Sequence, residues 1–101
     1  ESDGLTVNVT DQEIMAAQQL LGRTCGVFGE PAGVTGTAGV KKLCEAGKIG
    51  KNDTVVSVVT GNGLKDVANA IAACGEPITI PGDMNRLLAA FAEKGVRVEG
   101  A

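Results

Sequence analysis

Apolar and polar residues alternate over Leu5-Thr6-Val7-Asn8-Val9, which is the two-residue period of a short strand. From Thr10 the period changes. Thr10 and Glu13 have the T-x-x-E spacing of a helix capping box. Ile14, Ala17 and Leu21 then share one helical face, and Gly22 lies near the predicted end. After the apolar connector Gly26-Val27-Phe28-Gly29, Pro31 suits the first turn of a second helix. That helix is predicted to run to about Ala46, with Gly47 as its stop. Thr54-Val55-Val56-Ser57-Val58-Val59 is the strongest strand signal, apolar almost throughout, as in a strand covered on both faces. A turn at residues 60–63 leads into a third predicted helix at 64–74, with Gly75 as its stop. Ile78-Thr79-Ile80 reads as another short strand. Pro81-Gly82 breaks the chain, and Asp83 can cap a fourth helix whose Leu87, Leu88 and Phe91 point inward before Gly95. Val96-Arg97-Val98 closes as a strand.

Strands alternating with helices predict an α/β fold with a parallel sheet. No internal repeat, low-complexity stretch or linker divides the chain, so residues 1–101 are treated as one unit. Composition makes that unit fragile. Hydrophobic residues form 44% of the chain but aromatics only 2%, so Val, Ile, Leu and Ala must build the core. Ala and Val bury little area each, at roughly 25 cal/mol per Å². A freestanding domain built this way is expected to be marginally stable, and fifteen glycines add backbone entropy cost.

Charge and cysteine usage remove several function classes. The net charge is −3 and the pI about 4.8, with no basic stripe, which argues against a nucleic-acid partner. No apolar run approaches the roughly 20 residues of a membrane span. Glu1-Ser2-Asp3-Gly4 has neither the basic start nor the apolar stretch of a secretion signal. It also lacks an initiator Met, so the chain is expected to be a fragment or a processed piece. Cys25, Cys44 and Cys74 have no CxxC spacing and there is no His, which argues against a zinc site, a Cys–His pair and a Ser–His–Asp triad. Three reduced thiols packed as small apolar groups in a cytoplasmic protein are expected.

Two segments could carry chemistry. Thr60-Gly61-Asn62-Gly63-Leu64-Lys65-Asp66 follows the strongest strand, at the end where open α/β sheets bind ligands. It offers a hydroxyl, a close backbone approach and the free N–H groups of a starting helix. It is no dinucleotide fingerprint, because Asp66 stands where the third Gly belongs. The competing reading is a tight strand-to-helix turn that needs glycine. Gly29-Glu30-Pro31-Ala32-Gly33 leads into a helix with Gly33, Gly36 and Gly39 along one side. Glu30 could face a cleft while the bare side admits a flat ring. Alternatively, Glu30 partners the helix dipole and the glycines form a close packing face. The other charges, including Lys41, Lys42 and Glu45, read as solvated surface.

Thr60-Gly61-Asn62-Gly63-Leu64-Lys65-Asp66 closely resembles the T-G-x-G-L-K segment of threonine synthases. Val9-Thr10-Asp11-Gln12-Glu13-Ile14 is similar to the family's V-[ST]-D-x-E-I, and Gly29-Glu30-Pro31-Ala32-Gly33 to its E-P-A-[SG]. The tail from Pro77 to Glu99 resembles the family's ending more loosely. The resemblance implies the C-terminal part of the large domain of a fold-type II pyridoxal-phosphate (PLP) enzyme. It implies that Thr60 hydrogen-bonds the PLP ring nitrogen, that Gly61 lies beside the ring, and that Glu30 stands on its O3 side. The residue before Glu30 departs slightly from the family's usual one. The complete enzyme would convert O-phospho-L-homoserine and water to L-threonine and phosphate. The family's Schiff-base lysine and phosphate-cradling loop belong to an N-terminal half that this chain lacks. The chain alone is therefore expected to be inactive, to bind PLP weakly or not at all, and to need the missing half as partner, with self-association as a further mode. The alternatives are a subunit of a split enzyme and a non-catalytic α/β structural or interaction module.

Overall fold

The computed structural model describes residues 2–98. Its first helix, α1 (Asp11–Cys25), starts where the capping box predicts. The Thr10 hydroxyl accepts from the Glu13 N–H at 3.2 Å, and the Glu13 carboxylate accepts from the Thr10 N–H at 2.7 Å. The helix runs past Gly22 and stops at Gly26, whose φ of 68° is the left-handed cap that glycine adopts without strain. Helix α2 (Pro31–Glu45) opens on a proline, as the sequence predicts.

These two helices form an antiparallel hairpin with a small aliphatic core. Ala17, Val34 and Ala38 are buried in it, and Val34 is fully inaccessible. Burying one such side chain stabilises the fold by about 2 kcal/mol. The hairpin's open end is tied by Lys42, which the sequence reads as plain surface. Its Nζ lies 2.9 Å from the Glu13 Oε1 and donates to the Asn8 carbonyl at 3.0 Å. One lysine from the last turn of α2 thus joins the first turn of α1 and the segment before it.

The third predicted helix is broken in two. Residues Gly63–Lys65 make a single 3₁₀ turn, and α3 (Val67–Cys74) begins afresh at Asp66. The Asp66 carboxylate accepts from the Asn69 side chain at 2.7 Å and from its N–H at 3.2 Å. These bonds hold its carboxyl below the ordinary carboxylate value, the side-chain bond contributing most. Helix α3 packs on α1, where the Gln19 side-chain amide donates to the Ala73 carbonyl at 2.5 Å. Helix α4 (Met84–Glu93) is capped by Asp83 as predicted, but its inward face is only half covered. Leu87, Leu88 and Phe91 are partly exposed, and α4 makes no contact with the other helices comparable to theirs.

The parallel strands predicted at 5–9, 54–59, 78–80 and 96–98 require correction. Among the described residues no strand forms, and β pairing is confined to one antiparallel bridge between Gly29 and Asn62. The reason is the absence of neighbours. A strand needs a second chain about 4.8 Å away to accept and donate its backbone hydrogen bonds. Segment 54–59 has α2 against one side and no strand beside it. Val56 is 85% exposed and Val58 73%, so the residues patterned for burial on both faces lie open on one. The molecule is correspondingly drawn out. Its radius of gyration is 17.8 Å, against about 13 Å for a compact domain of this length. The cysteine expectation is corrected too: Cys25, Cys44 and Cys74 are free thiols, but all three are exposed rather than packed.

The Glu13–Lys42 tie makes a pH-dependent prediction. The bond from Lys42, followed by that from the Thr10 backbone, lowers the Glu13 carboxyl from its ordinary 4.5 to about 2. A depressed carboxyl stabilises the fold above its unfolded value and loses that contribution as pH falls through its folded value. Helix content followed by circular dichroism should therefore become less resistant to urea between about pH 4.5 and 2. Glu13→Gln should lower resistance at pH 7 and flatten this acid limb. An unchanged acid limb in the variant would show that the tie does not govern it.

Candidate functional site

The site grows from the bridge between Gly29 and Asn62. The Gly63 N–H donates to the Phe28 carbonyl at 2.9 Å, and the Glu30 N–H donates to the Gly61 carbonyl at 2.8 Å. These two bonds clamp the loop before α2 onto the turn after segment 54–59. Behind the clamp, the buried Gln18 side-chain amide donates to the Gly29 carbonyl at 2.6 Å. A carbonyl can only accept, so this bond fixes which end of the Gln18 amide faces Gly29.

The clamp brings all three sequence-predicted site residues together. Glu30 is the N-cap of α2, yet its side chain makes no capping bond. It folds across the turn instead, so that its carboxylate lies on the Cα of Gly61, where any Cβ would collide with it. Lys65 holds it from the other side, with Nζ 3.4 Å from the carboxylate. Thr60 is exposed at the rim, and its hydroxyl makes no hydrogen bond among the described residues. Asn62, to which the sequence assigns no role, shapes the turn: its Oδ1 accepts from the Leu64 N–H at 2.9 Å.

The glycine side of α2 admits the chain itself rather than a ring. A Cβ on Gly33 would lie 3.1 Å from both the Thr60 and Gly61 nitrogens. One on Gly36 would meet the Ser57 hydroxyl at 3.1 Å, and one on Gly39 the Val7 side chain at 3.2 Å. The close-packing reading therefore holds along this helix. It lets α2 lie directly on residues 57–61 and thereby sets where Thr60 stands. Sequence reasoning misses Gln18, Phe28 and Lys65. Phe28 presses its ring on Gly63, where only a glycine leaves room. Lys65 lies within the T-G-x-G-L-K segment and could have been found there, whereas a buried glutamine at position 18 leaves no readable signal.

Residues 1–61, more than half of the chain, match the model of a family described as pyridoxal-phosphate dependent enzyme. The chain belongs to that family. Among curated proteins it is similar to the threonine synthase of Methanocaldococcus jannaschii, 50% identical over 85% of this chain. The threonine synthase of Halalkalibacterium halodurans is 46% identical over 87% of the chain, and that of Methanosarcina acetivorans 41% over 86%. The matches span only 21%, 25% and 22% of those three proteins respectively, about a fifth to a quarter of each.

The residues present fit the ring end of pyridoxal phosphate and not its phosphate end. Thr60 offers a free hydroxyl at the rim, while Gly61 beside it is covered by the Glu30 carboxylate. A phosphate would need unfilled N–H groups at a helix start. Here Thr10, Asp66 and Asp83 of the chain itself take one or two N–H groups at the starts of α1, α3 and α4, and the two aspartates would also repel a phosphate. Helix α2 begins on a proline, which has no N–H, next to the Glu30 carboxylate.

Two glycines test this geometry. A Cβ at position 29 would lie 2.5 Å from a Val59 methyl and 2.7 Å from a Val34 methyl, both flanking the clamp. Gly29→Ala should cost roughly 1–3 kcal/mol by overpacking. Gly36→Ala meets only a rotatable hydroxyl and gains up to about 1 kcal/mol of helix propensity, so it should be neutral or stabilising. Urea denaturation of both variants checks the order, and a Gly36→Ala chain less stable than Gly29→Ala would refute it.

Proposed function

We propose that this chain is the C-terminal part of a threonine synthase and supplies one wall of its PLP site. The observation that carries the proposal is the free Thr60 hydroxyl standing beside Gly61 and the Glu30 carboxylate, in a chain 41–50% identical to three threonine synthases. In this reading the chain is one unit of the large PLP-binding domain of a fold-type II enzyme acting in cytoplasmic amino-acid biosynthesis. The complete enzyme turns O-phospho-L-homoserine and water into L-threonine and phosphate. Pyridoxal phosphate, when bound, supplies the electron sink for that chemistry.

Each residue of the chain has a limited task there. Thr60 Oγ1 donates to the ring nitrogen, and a neutral hydroxyl partner leaves that nitrogen largely unprotonated. Gly61 lies beside the ring once the Glu30 carboxylate that covers it here turns aside. Glu30, held by Lys65, puts a fixed negative charge on the O3 side. The N-terminal half provides the Schiff-base lysine and the phosphate loop, and its strands pair with segment 54–59 in a parallel sheet. The open valines of that segment support a fragment or a split-enzyme subunit over a self-sufficient module, because a module would not leave Val56 and Val58 uncovered.

The chain alone should form no threonine from O-phosphohomoserine and PLP. Threonine released above a no-protein control would overturn the proposal. A ¹H–¹⁵N correlation spectrum with and without PLP tests the wall itself. Shifts confined to Glu30 and residues 60–63 are expected to be small, and Thr60→Val should abolish them. Shifts elsewhere, or shifts that survive Thr60→Val, would refute the assigned role of Thr60.

A further inference from the structure

The Glu30 carboxylate occupies the face of Gly61 on which a flat ring would have to lie. Its side chain is 18% exposed, and a Cβ on Gly61 would collide with it. Little fixes it in that place. Glu30 is the N-cap of α2, but its side chain makes no capping bond. Among the described residues its one side-chain partner is Lys65, whose Nζ is 3.4 Å from each carboxylate oxygen. A charge-assisted bond of this kind is normally about 2.7–2.9 Å long. A largely covered carboxylate with one long contact to a cation is poorly compensated for the water it has lost. The Lys65 side chain is 66% exposed, so a move toward it shortens the pair and returns the carboxylate to water.

We infer that Glu30 is a gate over the place of the PLP ring, closed on Gly61 in the chain without cofactor and opened when its carboxylate swings outward to Lys65. The inference rests on the proposed PLP reading and adds a positioning role for Lys65, which receives the carboxylate as it leaves. The main chain need not move. The Glu30 N–H stays bonded to the Gly61 carbonyl at 2.8 Å, so opening is a rotation of the Glu30 side chain alone. In the open position the carboxylate remains at the ring's edge, paired with Lys65, where the O3 side of the ring would be. Glycine at position 61 then serves both states. It leaves room for the carboxylate when the gate is closed and for the ring when it is open. The closed gate is autoinhibitory, because a ring must displace a charged side chain before it can lie on the backbone.

The first test is a double-mutant cycle on the 101-residue chain and needs no ligand. Gly61→Ala puts a Cβ where the closed carboxylate lies and forces the gate open. With Lys65 present to receive the carboxylate, the urea midpoint should match the parent's. In a Lys65→Met background the same substitution should lower the midpoint, because the displaced charge has no partner. An equal or smaller effect of Gly61→Ala in that background would overturn the gate. The second test titrates the parent with 3-hydroxypyridine, which has the ring nitrogen and O3 but no phosphate. Without it, nuclear Overhauser contacts should join the Glu30 γ protons to the Gly61 α protons; with it they should vanish, and Lys65→Met should weaken binding about threefold. A parent without those contacts, saturable binding that leaves them intact, or binding indifferent to Lys65→Met would overturn the gate. A ring that fails to bind while the cycle behaves as expected would instead sink the PLP reading and uphold the moving carboxylate.

Discussion

Everything that makes this chain more than a helical hairpin depends on two backbone hydrogen bonds, Gly63 N–H to Phe28 carbonyl and Glu30 N–H to Gly61 carbonyl. They join segments more than thirty positions apart, and such closure is entropically costly. The surroundings offset that cost in three ways. Gln18 satisfies the Gly29 carbonyl from behind, Val59 and Val34 close on Gly29 from either side, and Phe28 covers Gly63. The last two of these contacts demand glycine at their centre. The glycines are therefore a condition of the clamp, and the clamp is what carries Glu30 across to Gly61.

The helices were legible in the sequence because their signals are local. The Thr10–Glu13 box, Pro31, and Asp83 each act within one turn, and each sits where it was expected. Asp66 was legible as a residue but not as a break. Its side chain bonds Asn69 and starts a new helix, which a pattern of apolar spacing does not register. The strands failed for the opposite reason. Their signal describes an environment, burial on two faces between neighbours, and the pattern of residues 54–59 cannot supply neighbours. Segment 54–59 keeps the residues of an inner strand, while among the described residues α2 and the loop at Gly29 lie on it and no strand does.

The candidate site shows the same division. Thr60, Gly61 and Glu30 were legible because two short motifs name them, and the fold brings those motifs into contact. What the motifs could not decide was why the glycines are there. A bare helix side can receive a ligand or another segment, and the sequence is identical in both cases. The distances decide it at α2: Gly33 and Gly36 face Thr60, Gly61 and Ser57 at contact range, leaving no space for a ring between them. At Gly61 the occupant is the Glu30 carboxylate. Lys42 and Gln18 stayed hidden because a surface lysine and a helical glutamine look ordinary until their partners 29 and 11 residues away are known.

A polar inventory of the turn narrows what this wall can do. Asn62 Oδ1 is taken by Leu64 N–H, both Asp66 oxygens by Asn69, and the Glu30 carboxylate by Lys65. The clamp takes the Glu30 and Gly63 N–H groups and the Gly61 carbonyl. Among the described residues the Thr60 hydroxyl and the Asn62 side-chain N–H groups are left without a partner. A single hydroxyl beside a fixed carboxylate can orient a ring nitrogen and hold a charge near the ring, but it cannot grip a phosphate or form a covalent bond to a cofactor. The wall is thus suited to positioning a group that other residues must hold.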